Sequence, residues 1–457
     1  MRRFLPLLVL AAALCIPLPA RAGTTKPNIV LILTDDQRWD TLSYMPNVRK
    51  LINHGTPFTN SFVPNPECCP SRASILTGRY SGSTDVWGNT YPHGGWQTFH
   101  RSGDERSTIA TWLDHGGYRT GLFGKYLNDY DSLQGRTFVP PGWDVWNAYA
   151  TKPDYYNYDV NRNGTIVHFA NANADYAVDA FAHMTAQFIR NTGNNTPLFA
   201  YYAPLAPHTP TTPPERYKNR FAHLPPIRTP SIPETDRTDK PPWIQDRRDI
   251  SPQTAAEFRA RQLRVNLAID DAVGRIVRAL SRTGRLSNTL IMFASDNGYL
   301  WGEHSWRGKA VPYNESLRVP LVVRWDAVKA PSVVDNFALN VDWAPTFAQV
   351  AGVHAPGVEG RSLVPLLRNK RVRWRKSFVV EHLGSLEDGI PSYCGIRTHS
   401  FLYVQYAGGF EEVYAERRDP YELANVVRRI PDATLKLLRQ QAHALCDPPP
   451  PGWGWSH

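Results

Sequence analysis

Apolar runs and segments of helical period alternate along this chain of 457 residues. The clearest run lies between Pro27 and Thr34 and is followed directly by two acids, which is typical of a strand buried on both faces of a parallel sheet. Further strands are predicted at residues 118–123, 197–202, 288–294 and 318–324. Helices are predicted from their apolar period at residues 108–115, 176–191 and 255–280. Because strands alternate with helices, the pattern predicts an α/β fold whose mostly parallel central sheet is flanked by helices.

Two segments depart from this alternation. Residues 204–252 are rich in proline and lack periodicity, and so long a loop inside a compact domain is usually functional or mobile. After Leu367 the pattern changes to short strands and a last helix, predicted at residues 377–380, 395–398, 401–406 and 432–445. We therefore expect a leader at 1–22, a main α/β domain at 23–367 and a small C-terminal α+β subdomain with its tail at 368–457.

Composition and charge narrow the classes of partner. The chain is 42% hydrophobic and 20% charged, as expected of a globular protein, and its net charge is +10. A basic balance suits polyanions such as nucleic acid, anionic membranes and sulfated glycans. The sequence has no zinc-finger spacing, no RNA-binding aromatic motif and no dense run of Lys and Arg, which argues against nucleic acid as a partner.

The N-terminus has the pattern of a secretion signal. Arg2 and Arg3 form the positive end, residues 4–18 are mostly apolar, and the segment from Ala20 to Ala22 offers a small-x-small cleavage site. No later segment is long and apolar enough to span a bilayer. We expect cleavage near Ala22 and a secreted, extracellular or periplasmic protein without stable membrane insertion. An uncleaved anchor is the alternative.

Five cysteines are few for an exported chain of this length. Cys15 belongs to the leader, and a disulfide between Cys394 and Cys446 is allowed in an oxidising compartment. Sequence spacing alone does not establish that pairing. No cluster of Cys and His has the spacing of a zinc site.

The segment from Cys68 to Arg79 has the sequence features of a helix N-terminus that binds an anion. Pro70 suits the first helical position, where its missing N–H costs nothing, and Gly78 can end the helix. Cys68 would then lie just before the helix, where free N–H groups and the helix dipole stabilise an oxyanion. Arg72 adds a planar fork that matches two oxygens of a sulfate or phosphate group. The alternative is a capped helix with a buried thiol or a disulfide.

Acidic side chains follow two of the predicted strands. Asp35 and Asp36 come directly after the first strand, and Asp296 and Asn297 follow the strand at 289–294. Ligands bind at the carboxyl ends of strands in open α/β sheets. An oxygen-only set of this kind favours calcium over magnesium or manganese. Each pair taken alone also fits a solvated turn or a hairpin turn.

Cationic candidates lie after predicted strands or in loops. They are Lys125, His208 and Lys309. Cleavage of a sulfate ester requires cations that hold the charge on the sulfate oxygens and an acid that protonates the leaving oxygen. Taken singly, each lysine also fits a solvated surface residue, and the histidine a hydrogen-bonded loop residue.

The complete pattern Cys-x-Pro-Ser-Arg-x-x-x-Leu-Thr-Gly-Arg at residues 68–79, with the tail at 419–425, resembles the sulfatase family of the alkaline phosphatase superfamily. The resemblance makes residues 23–367 the catalytic domain. It implies that a formylglycine-generating enzyme converts Cys68, and not Cys69, into formylglycine (3-oxoalanine). It implies calcium bound by Asp35, Asp36, Asp296 and Asn297 alongside the modified Cys68. It also implies that Arg72 supports the formylglycine hydrate, that Lys125 and Lys309 contact the sulfate, and that His208 protonates the leaving group.

One motif departs from the arylsulfatase pattern. Many arylsulfatases have Gly-Lys-Trp-His after the strand, whereas this chain has Gly-Lys-Tyr-Leu-Asn at residues 124–128. The usual second histidine is absent, and whether Asn128 replaces it stays open. The variant is similar to the glucosamine-6-sulfatase and extracellular endosulfatase branch. That similarity favours a sulfated amino sugar such as N-acetylglucosamine 6-sulfate, with aryl sulfates as further substrates.

Two other functions fit parts of the pattern. A phosphoester or phosphonate hydrolase of the same superfamily would use a similar anion site. A non-catalytic binder of sulfated glycans would use the same cations, although binding alone does not require a convertible cysteine. The complete set of nucleophile, metal ligands and acid favours the hydrolysis of sulfate monoesters.

Overall fold

A sheet of nine strands forms the centre of the molecule in the computed structural model of this chain. The structure describes residues 26–132, 136–385 and 389–455. The predicted leader at 1–22 and its cleavage site therefore lie outside the described residues. None of the described helices combines the length and apolarity needed to cross a bilayer.

The strands and helices follow one another in chain order. The strands are β1 Asn28–Thr34, β2 Thr56–Pro57, β3 Ser61–Phe62, β4 Arg119–Gly124, β5 Val145–Tyr149, β6 Tyr158–Arg162, β7 Thr165–Phe169, β8 Leu198–Ala203, β9 Thr289–Ser295, β10 Leu321–Trp325, β11 Ala338–Leu339, β12 Ser377–His382, β13 Tyr393–Thr398, β14 Leu402–Tyr406 and β15 Glu411–Tyr414. The helices are α1 Pro46–Asn53, α2 Cys68–Thr77, α3 Ser81–Thr84, α4 Gly95–Ser102, α5 Ile109–His115, α6 Ala177–Asn191, α7 Pro242–Gln245, α8 Pro252–Arg282, α9 Asn314–Leu317, α10 Trp343–Ala351, α11 Val364–Leu367 and α12 Asp432–Leu445.

The large sheet is mixed, with a parallel centre. Its strand order is β2-β10-β9-β1-β8-β4-β5-β6-β7. The five strands from β9 to β5 in that order run parallel, and the strands at both edges run antiparallel. The predicted α/β class with a parallel central sheet is thus confirmed.

Helices cover both faces of this sheet because its central strands are apolar on both sides. In β1, Ile29, Leu31 and Leu33 enter one core with α2, α5 and α10. Val30 and Ile32 enter the other core with α1, α6 and α8. Each such side chain, once fully buried, contributes about 1.5–3 kcal/mol relative to exposure. This burial explains why β1 lacks the alternation of a half-exposed strand.

The predicted strands and helices all exist, and their ends agree with the structure to within three residues. The structure differs from the predictions at α2 and β10, and it contains elements that were not predicted, among them α1, α4, α10 and β5 to β7. Helix α2 begins at Cys68, two residues earlier than the predicted start at Pro70. Strand β10 runs antiparallel to β9, because residues 296–320 stay at the edge where β9 ends and the chain re-enters the sheet there. Strands β5, β6 and β7, which pair antiparallel with one another, were missed because each has only five residues in which a period could show.

The C-terminal region forms a separate four-stranded antiparallel sheet in the order β12-β13-β14-β15. Helix α12 packs on it, and the disulfide between Cys394 and Cys446 forms in the structure. Apolar residues of this sheet and of the main body share one buried cluster, which includes Phe62, Leu300 and Phe378. The domain division at residues 367 and 368 falls between α11 and β12 and stays a proposal.

Candidate active site

The predicted acidic residues emerge side by side because β1 and β9 are parallel neighbours, with Thr34 opposite Ser295. The backbone N–H of Asp36 donates to Oδ1 of Asp296 at 3.2 Å. Asp36 has a φ of 66°, in the left-handed region that aspartate tolerates better than most residues. The carboxylates of Asp35, Asp36 and Asp296 and the amide of Asn297 are all buried at this edge of the sheet.

The first turn of α2, which begins at Cys68, packs against these acids. Its Sγ lies 3.3 Å from Oδ1 of Asp35 and 2.7 Å from Nζ of Lys309. Cys68 was predicted just before the helix, and the structure places it at the first helical position instead. The next residue, Cys69, lies in the apolar core below the sheet. Of these two adjacent cysteines, Cys68 is therefore the one in the site.

Arg72 is fully buried one helical turn after Cys68. Its Nε donates to Oδ2 of Asp296 at 2.7 Å, and one Nη lies 3.3 Å from Oδ2 of Asp35. The other Nη donates to the backbone carbonyl of Lys125 at 2.9 Å. The sequence predicted that this planar fork would face the oxygens of a sulfate or phosphate group. In the structure the fork faces the oxygens of two carboxylates and a backbone carbonyl, and its contact with a sulfate stays a prediction. Its geometry is that of a residue that fixes the acids in place.

Two lysines complete the set of positive charges. Nζ of Lys125, which follows β4, lies 2.6 Å from Oδ2 of Asp35. Nζ of Lys309 lies 2.5 Å from Oδ1 of Asp36. Both predicted lysines therefore converge on the same cluster, although they lie far apart in the sequence.

His208 lies at the more open side of the cluster. Its Nε2 is 3.7 Å from Oδ2 of Asp36, and 30% of its side chain is exposed. Its Nδ1 lies 2.6 Å from the carbonyl oxygen of Thr209. Because a carbonyl oxygen can only accept, Nδ1 carries a proton and Nε2 is the atom directed toward the cluster. The hydroxyl of Tyr155 donates to the backbone carbonyl of His208 at 2.7 Å and anchors this loop.

The electrostatics of the cluster keep Asp35 and both lysines charged and the thiol neutral, whereas burial and then Asp35 raise the pKa of Asp296. Burial opposes ionisation of Asp35, but Lys125, His208, Arg72 and Lys309 together hold the pKa of Asp35 well below its usual range. Burial likewise opposes the charged lysines, but Asp35 raises the pKa of Lys125 and Asp36 raises that of Lys309. Burial and then Asp35 raise the pKa of the Cys68 thiol well above its usual range. An unmodified Cys68 would therefore be a poor nucleophile here.

Four of the five predicted ligands of a divalent cation, namely Asp35, Asp36, Cys68 and Asn297, surround one point, the ammonium of Lys309. The fifth, Asp296, contacts Arg72 and the backbone N–H of Asp36. Asp35, Asp36, Cys68 and His208 each offer one ligand atom, and these atoms lie within 4.8 Å of one another. The ammonium of Lys309 is the positive charge that this group surrounds, because it lies within 4.0 Å of oxygens of Asp35, Asp36 and Asn297. Buried carboxylate and amide oxygens that converge on a cation are the donor set that calcium prefers.

Sequence reasoning missed two supporting residues and left a third open. The hydroxyl of Ser71 donates to the backbone carbonyl of Asp296, and the amide of Asn340 donates to that hydroxyl at 2.9 Å. The helical period could have placed Ser71 on the face of Cys68, three residues away, but no local signal points to Asn340. The third residue is Asn128, whose amide oxygen is buried and has no hydrogen-bond partner among the described residues. Whether Asn128 replaces the missing histidine stays open.

Comparisons with known proteins agree on one family. The family model described as Sulfatase matches residues 27–353, and one described as N-sulphoglucosamine sulphohydrolase, C-terminal, matches residues 302–445. The chain is 32% identical to the N-acetylglucosamine-6-sulfatase of Homo sapiens, over 90% of this chain and 82% of that protein. It is 35% identical to an extracellular sulfatase SULF-1 homolog of Drosophila melanogaster over 80% of this chain, but it spans only 34% of that relative's length.

A solved structure supports the same relationship. A protein solved in complex with its substrate D-glucosamine-2-N,6-O-disulfate superimposes with a TM-score of 0.80 at 25% sequence identity. The alignment covers 94% of this chain and 100% of that one. The likeness therefore extends over the central sheet, with the site at its edge, and over the C-terminal sheet.

Proposed function

This chain belongs to the sulfatase family, and from that membership we propose that it hydrolyses sulfate monoesters through a formylglycine made from Cys68. The observation that carries the proposal is the position of Cys68. Its side chain lies at the start of a buried helix, within reach of Lys309 and Asp35. Three carboxylates and three cationic side chains converge on the same point.

The protein's own residues divide the remaining tasks. A hydrated aldehyde at position 68 would supply one hydroxyl that attacks sulfur and a second whose deprotonation lets sulfate leave. Asp35, Asp36, Asp296 and Asn297 would hold calcium, which would act as a Lewis acid beside the sulfate oxygens. Lys125 and Lys309 neutralise charge that develops on those oxygens. Arg72 positions Asp35 and Asp296 through the contacts described above and, through them, the residue at position 68.

We assign His208 as the general acid because its Nε2 faces the cluster from the open side, where a substrate enters. Nδ1 is held by the Thr209 carbonyl, so the ring has one orientation and Nε2 carries the transferable proton when the ring is charged. That proton passes to the oxygen of the leaving group as the S–O bond breaks.

The proposed substrate is a sulfated amino sugar such as N-acetylglucosamine 6-sulfate, with aryl sulfates as simpler substrates. Two findings support this class: the similarity to N-acetylglucosamine-6-sulfatases and the solved relative with a glucosamine disulfate as its substrate. We further propose that the protein is secreted, as the name of the extracellular relative and the leader pattern suggest. Maturation by a formylglycine-generating enzyme belongs to the same proposal.

Paired substrates test the reaction class. Purified protein co-expressed with a formylglycine-generating enzyme is supplied with N-acetylglucosamine 6-sulfate and, separately, with the matching 6-phosphate. We expect kcat/KM for the sulfate to exceed that for the phosphate by at least about 100-fold, measured as released sulfate or phosphate. A preference for the phosphate would instead establish a phosphoester hydrolase, and release of neither ion with retained binding would indicate a glycan-binding protein.

The role of His208 predicts a dependence on the leaving group. In His208→Gln, kcat/KM for the sugar sulfate should fall by about 100- to 10,000-fold, because an alkoxide leaves poorly without a proton. The loss should be much smaller for an aryl sulfate with an acidic phenol as leaving group, since that group departs without protonation.

A matched control is His183→Gln, which changes an exposed histidine of α6 and should alter neither rate. Equal losses on both substrates in His208→Gln would show that His208 binds the sulfate rather than protonating the leaving oxygen.

A further inference from the structure

A cavity of about 500 Å³ adjoins the segment that carries Lys309, and it contains three arginines. Its lining residues are Arg247, Arg248, Ile250, Thr254, Ser305 and Arg307. Two of the arginines come from the proline-rich segment at 204–252, which also carries His208 but whose part after residue 209 has no role in the site described so far. The third comes from the chain between β9 and β10.

The backbone connects this cavity closely to the active site. Arg307 precedes Lys309 by two residues, which span at most about 7 Å. The backbones of Gly308 and Leu300 exchange two hydrogen bonds, of 2.7 Å and 3.2 Å. Leu300 is in turn three residues after Asn297, one of the proposed calcium ligands. The backbone at Arg307 is therefore held close to the point where the sulfate to be cleaved would bind.

The described residues that line this cavity include three arginines and no acid; the adjacent Asp249 accepts a hydrogen bond from the lining residue Ser305, at 3.3 Å. Among the residues that the structure describes, no ion pair joins a carboxylate to any of these three arginines. The nearby acid Asp249 pairs with Arg237 instead, at 2.6 Å. Three cations around one cavity repel one another, and an anion between them would relieve that repulsion.

Aromatic rings orient two of the guanidinium groups. Arg247 lies 3.8 Å from the centre of the Trp306 ring, and Arg307 lies 5.6 Å from the centre of the Phe258 ring. A guanidinium that is attracted to an aromatic face can still donate its N–H groups to an oxyanion.

We propose that this cavity, which we call the arginine cavity, binds a second anionic group of the substrate while the scissile sulfate lies at Cys68. The inference rests on the proposed function and specifies its substrate as a sugar with at least two anionic groups. The second group is a sulfate on the same ring or a carboxylate on a neighbouring uronic acid, since both present paired oxygens to a guanidinium. The cavity thereby selects polyanionic glycans over simple sulfate esters.

The test measures binding, so that it does not depend on turnover. In a Cys68→Ala background, calorimetry gives the Kd of three ligands: N-acetylglucosamine 6-sulfate, glucosamine 2-N,6-O-disulfate, and a disaccharide of N-acetylglucosamine 6-sulfate and a uronic acid. Adding Arg307→Gln or Arg248→Gln should weaken one of the two dianionic ligands by about 10- to 100-fold relative to the monosulfated sugar. The ligand that loses affinity identifies the second group as sulfate or carboxylate.

The substituted arginines lie at the surface, so the comparison of Kd values is not affected by a loss of core packing. Arg248 and Arg307 are both exposed, so their replacement leaves the core intact. The control is Arg282→Gln, an exposed arginine in the last turn of α8, which should change none of the three Kd values. Two outcomes would show that the arginine cavity does not bind a second anionic group. Either both arginine variants weaken the binding of all three ligands equally, or they weaken the binding of none of them. Failure of the wild-type protein to release sulfate would overturn the proposed function, whereas these Kd ratios test the cavity independently.

Discussion

Replacement of Cys68 by alanine is expected to abolish sulfate release, with kcat lowered by at least about 1,000-fold. Every other group in the cluster can bind or polarise a sulfate ester, but the residue at position 68 is the one that can attack sulfur. The measurement is sulfate release from N-acetylglucosamine 6-sulfate, alongside mass spectrometry of the wild-type peptide at residues 62–79. That peptide should contain an aldehyde, or its hydrate, in place of one thiol.

The adjacent cysteine supplies a matched control. Cys69→Ala removes a buried sulfur from the apolar core, so we expect some loss of stability but retained modification and turnover. A Cys68→Ala protein with unchanged activity would exclude the nucleophile proposed here. An active wild-type enzyme whose peptide carries two intact thiols would exclude the modification.

Loss of the proposed divalent cation is also expected to lower the activity strongly. In Asp36→Asn, the charge that faces Lys309 and His208 is lost, and calcium loses one proposed ligand. We expect kcat/KM to fall by at least about 100-fold, because fewer charges remain to position the reacting groups. The wild-type protein should also lose activity in a chelator and recover it with calcium.

Thermal unfolding measures the binding of the ion independently of enzyme activity. A ligand at 100 times its Kd stabilises the native state by about 2.7 kcal/mol, so calcium should raise the Tm of the wild-type protein but not that of Asp36→Asn. The control is Asp40→Asn, which changes a partly exposed acid paired with Arg38 outside the cluster. Full activity in a chelator, together with no calcium-dependent shift of Tm, would exclude a metal at these carboxylates.

These two predictions depend on contacts that the sequence could only suggest. Asp35 and Asp36 were predicted at a strand end from a local signal, an apolar run followed by acids. Their distance from Cys68 depends on how α2 packs against the carboxyl edge of the sheet, and that packing involves residues far apart in the chain. Arg72 illustrates the difference, because its residue type predicted an anion-binding fork and the structure shows a fork held between Asp35 and Asp296.

The arginine cavity could be predicted from the sequence even less than the contacts of the active site. Sequence reasoning identified residues 204–252 as a long proline-rich loop, because proline and the lack of period are local properties. It could not place Arg247 and Arg248 next to Arg307, which lies about 60 residues further along the chain. Three separated arginines carry no signal of their own until the tertiary structure brings them to one cavity.

The sequence by itself determined the alternation of strands and helices, the strand ends that carry the acids, and the helix that begins near Cys68. It did so because the spacing of apolar residues, the turn residues and the residues at helix ends determine the local structure of only a few neighbouring positions. The tertiary structure alone decided the antiparallel course of β10, the partners of Arg72 and the convergence of Lys125, His208 and Lys309 on one point. Those features follow from the packing of distant segments across a sheet, and no local pattern encodes the distance between them.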